Sequence, residues 1–229
     1  MYGKTRYILI AASISLVLIF CITMFLVADR QARLIKEQVH EEASTIFRQL
    51  VIARRWNSEY GGVYTKARPG EMPNKYLRDA SITDTAGNVY YLKNPALMAR
   101  ELSQYSDEEG LVHFKITSLK LMNPDNAPDE WERRQLQAFE SGKTGVSEII
   151  KQKGHYYYRL IRPLYIERPC INCHDEQGYK IGDVRGGISI TLPYDKYRRA
   201  VAHNIAAMAS LSILLVVLLV LVLRLFWRL

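Results

Sequence analysis

The sequence has few cysteines and lacks acidic residues near both ends. Three cysteines in 229 residues exclude a disulfide-rich scaffold, and 13 glycines with eight prolines exclude a collagen-like or low-complexity chain. Residues 1–28 and 204–229 contain no Asp or Glu, so all 23 acidic residues lie in 29–203. The net charge of +8 does not come from a basic stripe interleaved with aromatic residues. This absence argues against a nucleic-acid-binding protein.

The two ends of the chain are predicted to cross a membrane. Residues 7–28 and 204–223 carry no charge, and a span needs about 20 apolar residues. A signal peptide is the alternative for the first run, although its apolar part exceeds the usual length of about 7–15 residues. A buried core helix is the alternative for the second. We therefore predict a cytoplasmic terminus (1–6), two transmembrane helices (7–28 and 204–223), an intervening domain (29–203) and a cytoplasmic tail (224–229).

The domain at 29–203 is predicted to be α+β, with one mostly antiparallel sheet. Apolar residues at 35, 39, 43, 46, 50 and 53 indicate an amphipathic helix over 29–60 that ends before Gly61. A hairpin turn is predicted at 84–88, and helices are predicted after Asn94 and Pro128. Alternating patterns predict strands at 111–119, 146–152, 156–166 and 184–192, and the cysteine-bearing segment between the last two is expected to be a loop.

The chemistry of the sequence is concentrated in Cys170-Ile-Asn-Cys173-His174. This C-x-x-C-H pattern is the attachment signature of c-type haem. Two thiols three positions apart can bond to both vinyl groups on one edge of a porphyrin, and the following histidine can then ligate the iron. A zinc site, a thioredoxin-like redox pair and a plain disulfide remain as alternatives. Because haem c is attached outside the cytoplasmic membrane, the motif predicts a periplasmic domain with both termini inside.

Four segments resemble one family. Residues 56–64, 94–100, 116–132 and 170–190 are similar to the periplasmic c-type haem PAS-like domain family, the "Tll-like" haem-binding domain. The resemblance implies a PAS-like antiparallel sheet with helices between two transmembrane helices, and one covalent haem c. It makes Cys170 and Cys173 the thioether cysteines and His174 the proximal iron ligand. It also implies a homodimer that detects redox state or a small diatomic ligand.

The second iron ligand is predicted to be Met98, because thioether and imidazole form a common c-type pair. Met122, His113 and His155 are lesser candidates, and an open site is the further alternative. Some family members use a cysteine of the N-terminal helix, but residues 29–60 contain none. Arg185 is predicted to pair with a haem propionate, and Lys180 and, from the N-terminal helix, Arg54 or Arg55 are further candidates.

The predicted function is a haem sensor in the bacterial inner membrane. The sequence has six residues beyond 223, so the signal is expected to pass to a separate protein. The alternative is a membrane-anchored monohaem electron-transfer subunit of a respiratory or photosynthetic complex. No nucleophile–base pair or phosphate-binding loop is present in the sequence, and we do not expect an enzyme.

Overall fold

The computed structural model describes residues 2–228, except for the side chains of residues 2, 3, 5, 6, 172, 173, 175 and 226–228. This part of the chain is α+β, as predicted. Its helices are α1 (Tyr2–Glu59), α2 (Pro95–Glu108), α3 (Glu130–Glu140), α4 (Arg168–His174) and α5 (Asp195–Arg228). Its strands are β1 (Val63–Lys66), β2 (Ser81–Thr83), β3 (Val89–Lys93), β4 (His113–Thr117), β5 (Val146–Gln152), β6 (His155–Tyr165) and β7 (Val184–Pro193).

The chain divides into two compact units. One consists of the residues up to Val39 and from Asp195 onward, and the other is His40–Tyr194. In the first unit, α1 and α5 each contain a stretch that is long and apolar enough to cross a membrane and is not buried by the chain. The structure thus has the pair of apolar helices that the sequence predicts on either side of the domain.

The second unit contains two antiparallel sheets where the sequence predicted one. The first sheet has the order β1-β3-β2, and the second has the order β4-β7-β6-β5. The predicted hairpin joins β2 to β3, and the Asp84 carboxylate accepts the backbone N–H groups of Ala86 and Asn88 in its turn. Strand β1 was not predicted, because it lies in a stretch rich in glycine and proline. It pairs with β3, more than 20 residues away in the chain.

The four-stranded sheet and α3 enclose an apolar core. Trp131, Leu136 and Phe139 of α3 pack with Ile161 of β6. Helix α3 begins with a capping box: the Asp129 side chain accepts the N–H of Glu132, and the Glu132 side chain accepts the N–H of Asp129. Helix α3 therefore packs on the sheet through β6, the strand that precedes the cysteine-bearing segment.

Part of the apolar stripe of α1 is buried within the single chain. Val39 and Ala43 are fully buried and Leu50 is nearly so, which confirms the predicted amphipathic helix. Helix α1 ends at Glu59, before the Gly61-Gly62 pair, and Gly61 has a φ of +73°. A residue in the left-handed region ends the helix here, as is common at helix C-termini.

The cysteine-bearing segment is a helix, where a loop was predicted. Helix α4 spans Arg168–His174 and has Pro169 in its first turn, where proline is tolerated. The ends of the segment are joined by two backbone hydrogen bonds of 2.9 Å, from Ile166 N–H to Asp183 O and from Gly182 N–H to Ile166 O. The segment from 167 to 181 is therefore a closed insertion between β6 and β7.

Candidate cofactor site

A cavity of about 430 Å³ lies in the His40–Tyr194 unit. We call it the His174 cavity. Its walls come from α1, α2, the loop before β2, β4 and β7, and its volume is in the range of ordinary small-molecule sites. Apolar lining residues include Leu97, Ile116, Leu121, Met122 and Leu164. The charged lining residues are Arg54, Glu71, Lys75, Lys93, Arg100, Glu101, Asp125 and Arg185, together with the imidazole of His174.

His174 is the last residue of α4, and its side chain is partly buried. Its Nδ1 lies 2.8 Å from Oε1 of Gln177 and 3.4 Å from Nε of Arg185. A proton on Nδ1, donated to Gln177, leaves the lone pair on Nε2, whereas in the other tautomer Nδ1 accepts the Nε–H of Arg185. Burial and the nearby Arg185 charge lower the pKa of His174, although the Gln177 hydrogen bond acts in the opposite direction. A neutral imidazole with its second nitrogen hydrogen-bonded is the form in which histidine ligates metals.

Cys170 lies four residues before His174 in α4, so the two side chains share one face of the helix. The Cys170 thiol is free and partly exposed. The side chain of Cys173 lies outside the described residues, so its predicted role stays a prediction. Among the described residues, no group of three or more His, Cys, Asp or Glu side chains is placed to hold a metal ion. The helix therefore offers a thiol and an imidazole to the same neighbourhood.

Arg185 of β7 lies beside His174. Its Nη1 donates to the Ser118 hydroxyl and, at 3.1 Å, to the Lys120 carbonyl. Its guanidinium also lies 5.3 Å from the centre of the Tyr179 ring. Burial lowers the pKa of Arg185. The sequence-predicted residues His174 and Arg185 are thus brought together on the wall of one cavity.

Arg54 of α1 is a second guanidinium on the same wall. Its Nη1 donates to the Pro95 carbonyl at 3.0 Å. Burial lowers the pKa of Arg54 to about 10, and the Arg185 charge contributes to the decrease. Its neighbour Arg55 instead forms a two-pronged ion pair with the exposed Glu167 carboxylate. The sequence could not show which of these adjacent arginines faces the cavity, because they differ only in their angular position around the helix axis.

A buried lysine forms another part of the wall. The side chain of Lys93 is 8% exposed, and its Nζ donates to the carboxylates of Glu71 and Glu101. The Lys93 hydrogen bond lowers the pKa of Glu71. Burial tends to lower the pKa of Lys93, but the two carboxylates outweigh it and the pKa is raised. The sequence does not predict this cluster, because a lysine at the end of a strand gives no signal of burial.

The candidate distal ligands are placed in different environments. Met98 is not among the residues that line the His174 cavity, and its Sδ accepts a hydrogen bond of 3.6 Å from Nδ2 of the buried Asn57. Met122 does line the cavity. His113 is exposed and paired with Asp107 at 2.8 Å, and His155 is exposed at the start of β6. The structure therefore brings Met122, rather than Met98, to the same cavity as His174, and ligation by Met98 stays a prediction.

The fold and this site define a cavity-bearing α+β domain between two long apolar helices. The family model for Tll0287-like domains matches residues 30–193, and the chain belongs to this family, which confirms the resemblance drawn from the sequence. Among solved structures, one described as the cyanobacterial heme-protein Tll0287 is similar, with a TM-score of 0.43 and 15% identity over 69% of this chain and 95% of that one. No curated protein sequence matches.

Proposed function

We propose that this chain carries one haem c, bonded to Cys170 and Cys173 and ligated by His174, and that it is a sensor. The observation that carries the proposal is the partly buried His174 on the cavity wall, on the same helical face as Cys170. The similar solved structure is described as a heme-protein, which agrees with this choice of cofactor. When bound, the haem would supply a redox-active iron that can also take a small diatomic ligand.

The residues around His174 favour a sensor over a simple carrier. Arg185 contacts His174 and belongs to β7, which ends two residues before α5 begins. A movement of His174 would therefore reach a strand that leads into an apolar terminal helix. Arg54 lies in α1, the other helix with an apolar stretch. These links support a signal that leaves the domain through its helices.

The proposal also covers the cellular location of the protein and its partners. We place the domain in the periplasm and both termini in the cytoplasm of a bacterial inner-membrane protein, because haem c is attached outside the cytoplasmic membrane. The protein would act as a homodimer, pass its signal to a separate protein and have no catalytic activity of its own. In the α1 stripe, Val39, Ala43 and Leu50 are buried within the chain, whereas Ile35, Ile46 and Ala53 stay partly exposed.

The first test is a spectrum of the full-length protein, matured in a host that assembles c-type cytochromes. We expect a reduced-minus-oxidised haem c spectrum and haem that stays attached on a denaturing gel. Cys170→Ser should leave at most one thioether, and His174→Ala should change the spectrum while keeping the bonds. A colourless wild-type protein would contradict the proposal. A haem that binds neither CO nor NO and keeps its ligands on reduction would favour the electron-transfer alternative.

A second test separates the two candidate thioether ligands. A sulfur-to-iron charge-transfer band in the near infrared of the oxidised protein would reveal methionine ligation. We expect the band to disappear in the variant that lacks the ligand, either Met98→Ala or Met122→Ala, and to persist in the other, which serves as the matched control. An unchanged band in both variants would exclude both residues. Absence of the band from the wild type would exclude methionine ligation and leave a histidine ligand or the open site.

A further inference from the structure

The charges on the wall of the His174 cavity are not evenly paired. Each carboxylate on the wall has a cationic partner, since Glu71 and Glu101 are held by Lys93, and Asp125 lies 3.2 Å from Arg100. Neither Arg54 nor Arg185 pairs with a carboxylate among the described side chains. Two guanidinium groups therefore face one cavity with hydrogen-bonding capacity left over, whereas the acidic groups there are already used.

Both guanidinium groups are held in place by neutral acceptors. Arg54 donates to the carbonyl of Pro95, the first residue of α2. Arg185 is fixed by the Ser118 hydroxyl and the Lys120 carbonyl. Each guanidinium has five N–H donors in a planar fork that matches a carboxylate. These contacts orient the two guanidinium groups and leave some of their N–H donors unused. This is the arrangement of a preformed anion site.

We propose that Arg54 and Arg185 together bind the carboxylate groups of the molecule that fills the His174 cavity. On the proposed function, on which this inference rests, these carboxylates are the two propionates of the haem. The arginines are positioning residues. Because Arg54 belongs to α1 and Arg185 to β7, the cofactor would bridge the N-terminal helix and the strand that precedes the C-terminal helix.

The test compares Arg54→Met with Arg48→Met in the full-length holoprotein. Arg48 lies in the same helix, is more than half exposed and contacts Thr45 and Glu41, so its loss controls for removal of a surface charge. We expect the midpoint potential of Arg54→Met to fall below that of the wild type, because an uncompensated carboxylate stabilises the oxidised haem. Arg48→Met should keep the wild-type potential. Equal potentials in Arg54→Met and Arg48→Met would overturn the proposal.

A second measurement distinguishes direct binding of a propionate by Arg54 from a long-range electrostatic effect of its charge on the haem. Carbodiimide-driven amidation with a small amine, followed by mass measurement of the haem peptide, reports which propionates are free to react. We expect protection in the wild type and in Arg48→Met, and added mass in Arg54→Met. A lower potential without added mass would overturn direct binding. If Arg54→Met does not accumulate, Arg54→Lys decides by the amidation readout: it keeps the charge, so its potential should stay near the wild-type value, but it loses the fork, so we expect added mass.

The source of the carboxylate is tested with acetate. The wild-type potential should be the same in chloride and acetate buffers of equal pH and ionic strength. An acetate-dependent shift that Arg54→Met abolishes would mean that a dissolved anion occupies the site, and would overturn the assignment to the propionates. A wild-type protein without covalent haem would instead contradict the proposed function itself, so the two failures are distinguishable.

Discussion

At the scale of single residues, Lys93 is the buried cation of the His174 cavity wall. It holds Glu71, from the loop between β1 and β2, and Glu101, from α2. The ammonium group therefore ties a loop and a helix to the end of β3. Loss of one member of a buried ion cluster leaves the remaining charges without compensation, and this is more costly than the net contribution of the intact cluster.

We expect Lys93→Met to lower the free energy of unfolding by about 3 kcal/mol, because two carboxylates would remain close together with little solvent. Denaturant unfolding followed by circular dichroism would measure the change. Lys66→Met is the matched control, since Lys66 is an exposed lysine at the end of the neighbouring β1. Equal destabilisation by the two substitutions would show that the cluster does not contribute.

The same cluster predicts a pH dependence. The pKa of Glu71 is lowered from its ordinary value of 4.5, chiefly by the Lys93 hydrogen bond. The stability it contributes is thus present above that ordinary value and lost as the pH falls through the lower folded value. Between about pH 5 and pH 3, the wild type should lose more unfolding free energy than Glu71→Gln. Parallel pH profiles for the two proteins would contradict this assignment.

The limits of sequence analysis are visible at this scale. His174 and Arg185 could be predicted. His174 belongs to a five-residue motif, and Arg185 follows this motif closely, at the start of a predicted strand. Lys93 was not predicted, and Arg54 was only one of two adjacent arginines that the sequence offered as candidates. Their burial depends on long-range packing, since Glu71 lies 22 residues from Lys93 and Pro95 lies 41 residues from Arg54.

At the scale of elements, β7 is the central strand that shapes the site. It pairs with both β4 and β6, and Arg185 and Gly186 at its start line the His174 cavity. A Cβ atom at Gly186 would collide with the carbonyl oxygen of Thr117 and would lie 3.1 Å from Cβ of Ser118. The close approach of β4 and β7 therefore requires glycine at this position.

Gly186→Ala should reduce the free energy of unfolding by about 2 kcal/mol or more, because the backbone of β4 must move to admit the methyl group. Thermal and denaturant unfolding would measure the loss. Gly145→Ala provides the comparison, since the added Cβ would meet Cγ of the flexible Arg162 side chain at 3.1 Å. Similar effects at the two positions would argue against a rigid approach of the strands.

Most elements followed from local pattern. Helices α2 and α3 and strands β5, β6 and β7 lie where capping residues and alternation predict them. Strand β1 and helix α4 were not predicted. The first forms only by pairing with distant β3, and the second is a short helix whose ends are closed by contacts between Ile166 and residues 182–183. The division into two sheets was also hidden, because sheet order is set by non-local pairing.

At the scale of the whole molecule, the two apolar helices predict how the chain behaves in a cell. We expect the full-length protein to remain in the membrane fraction after washing with alkaline carbonate, because each helix can cross the hydrocarbon layer. A secreted form of residues 30–193, the segment that matches the family, should be soluble without detergent. Release of the full-length protein by carbonate would contradict the predicted spans.

The closure of the 167–181 segment has a consequence for protein engineering. Its two ends leave the sheet side by side, joined by the hydrogen bonds between Ile166 and residues 182–183. Because these joints are backbone hydrogen bonds, which do not depend on side chains, we expect the segment to be exchangeable as a cassette, provided that a graft replaces its contacts with Arg55 and Arg185. Grafts of different length or ligand type would then vary the chemistry of the cavity while leaving the scaffold intact.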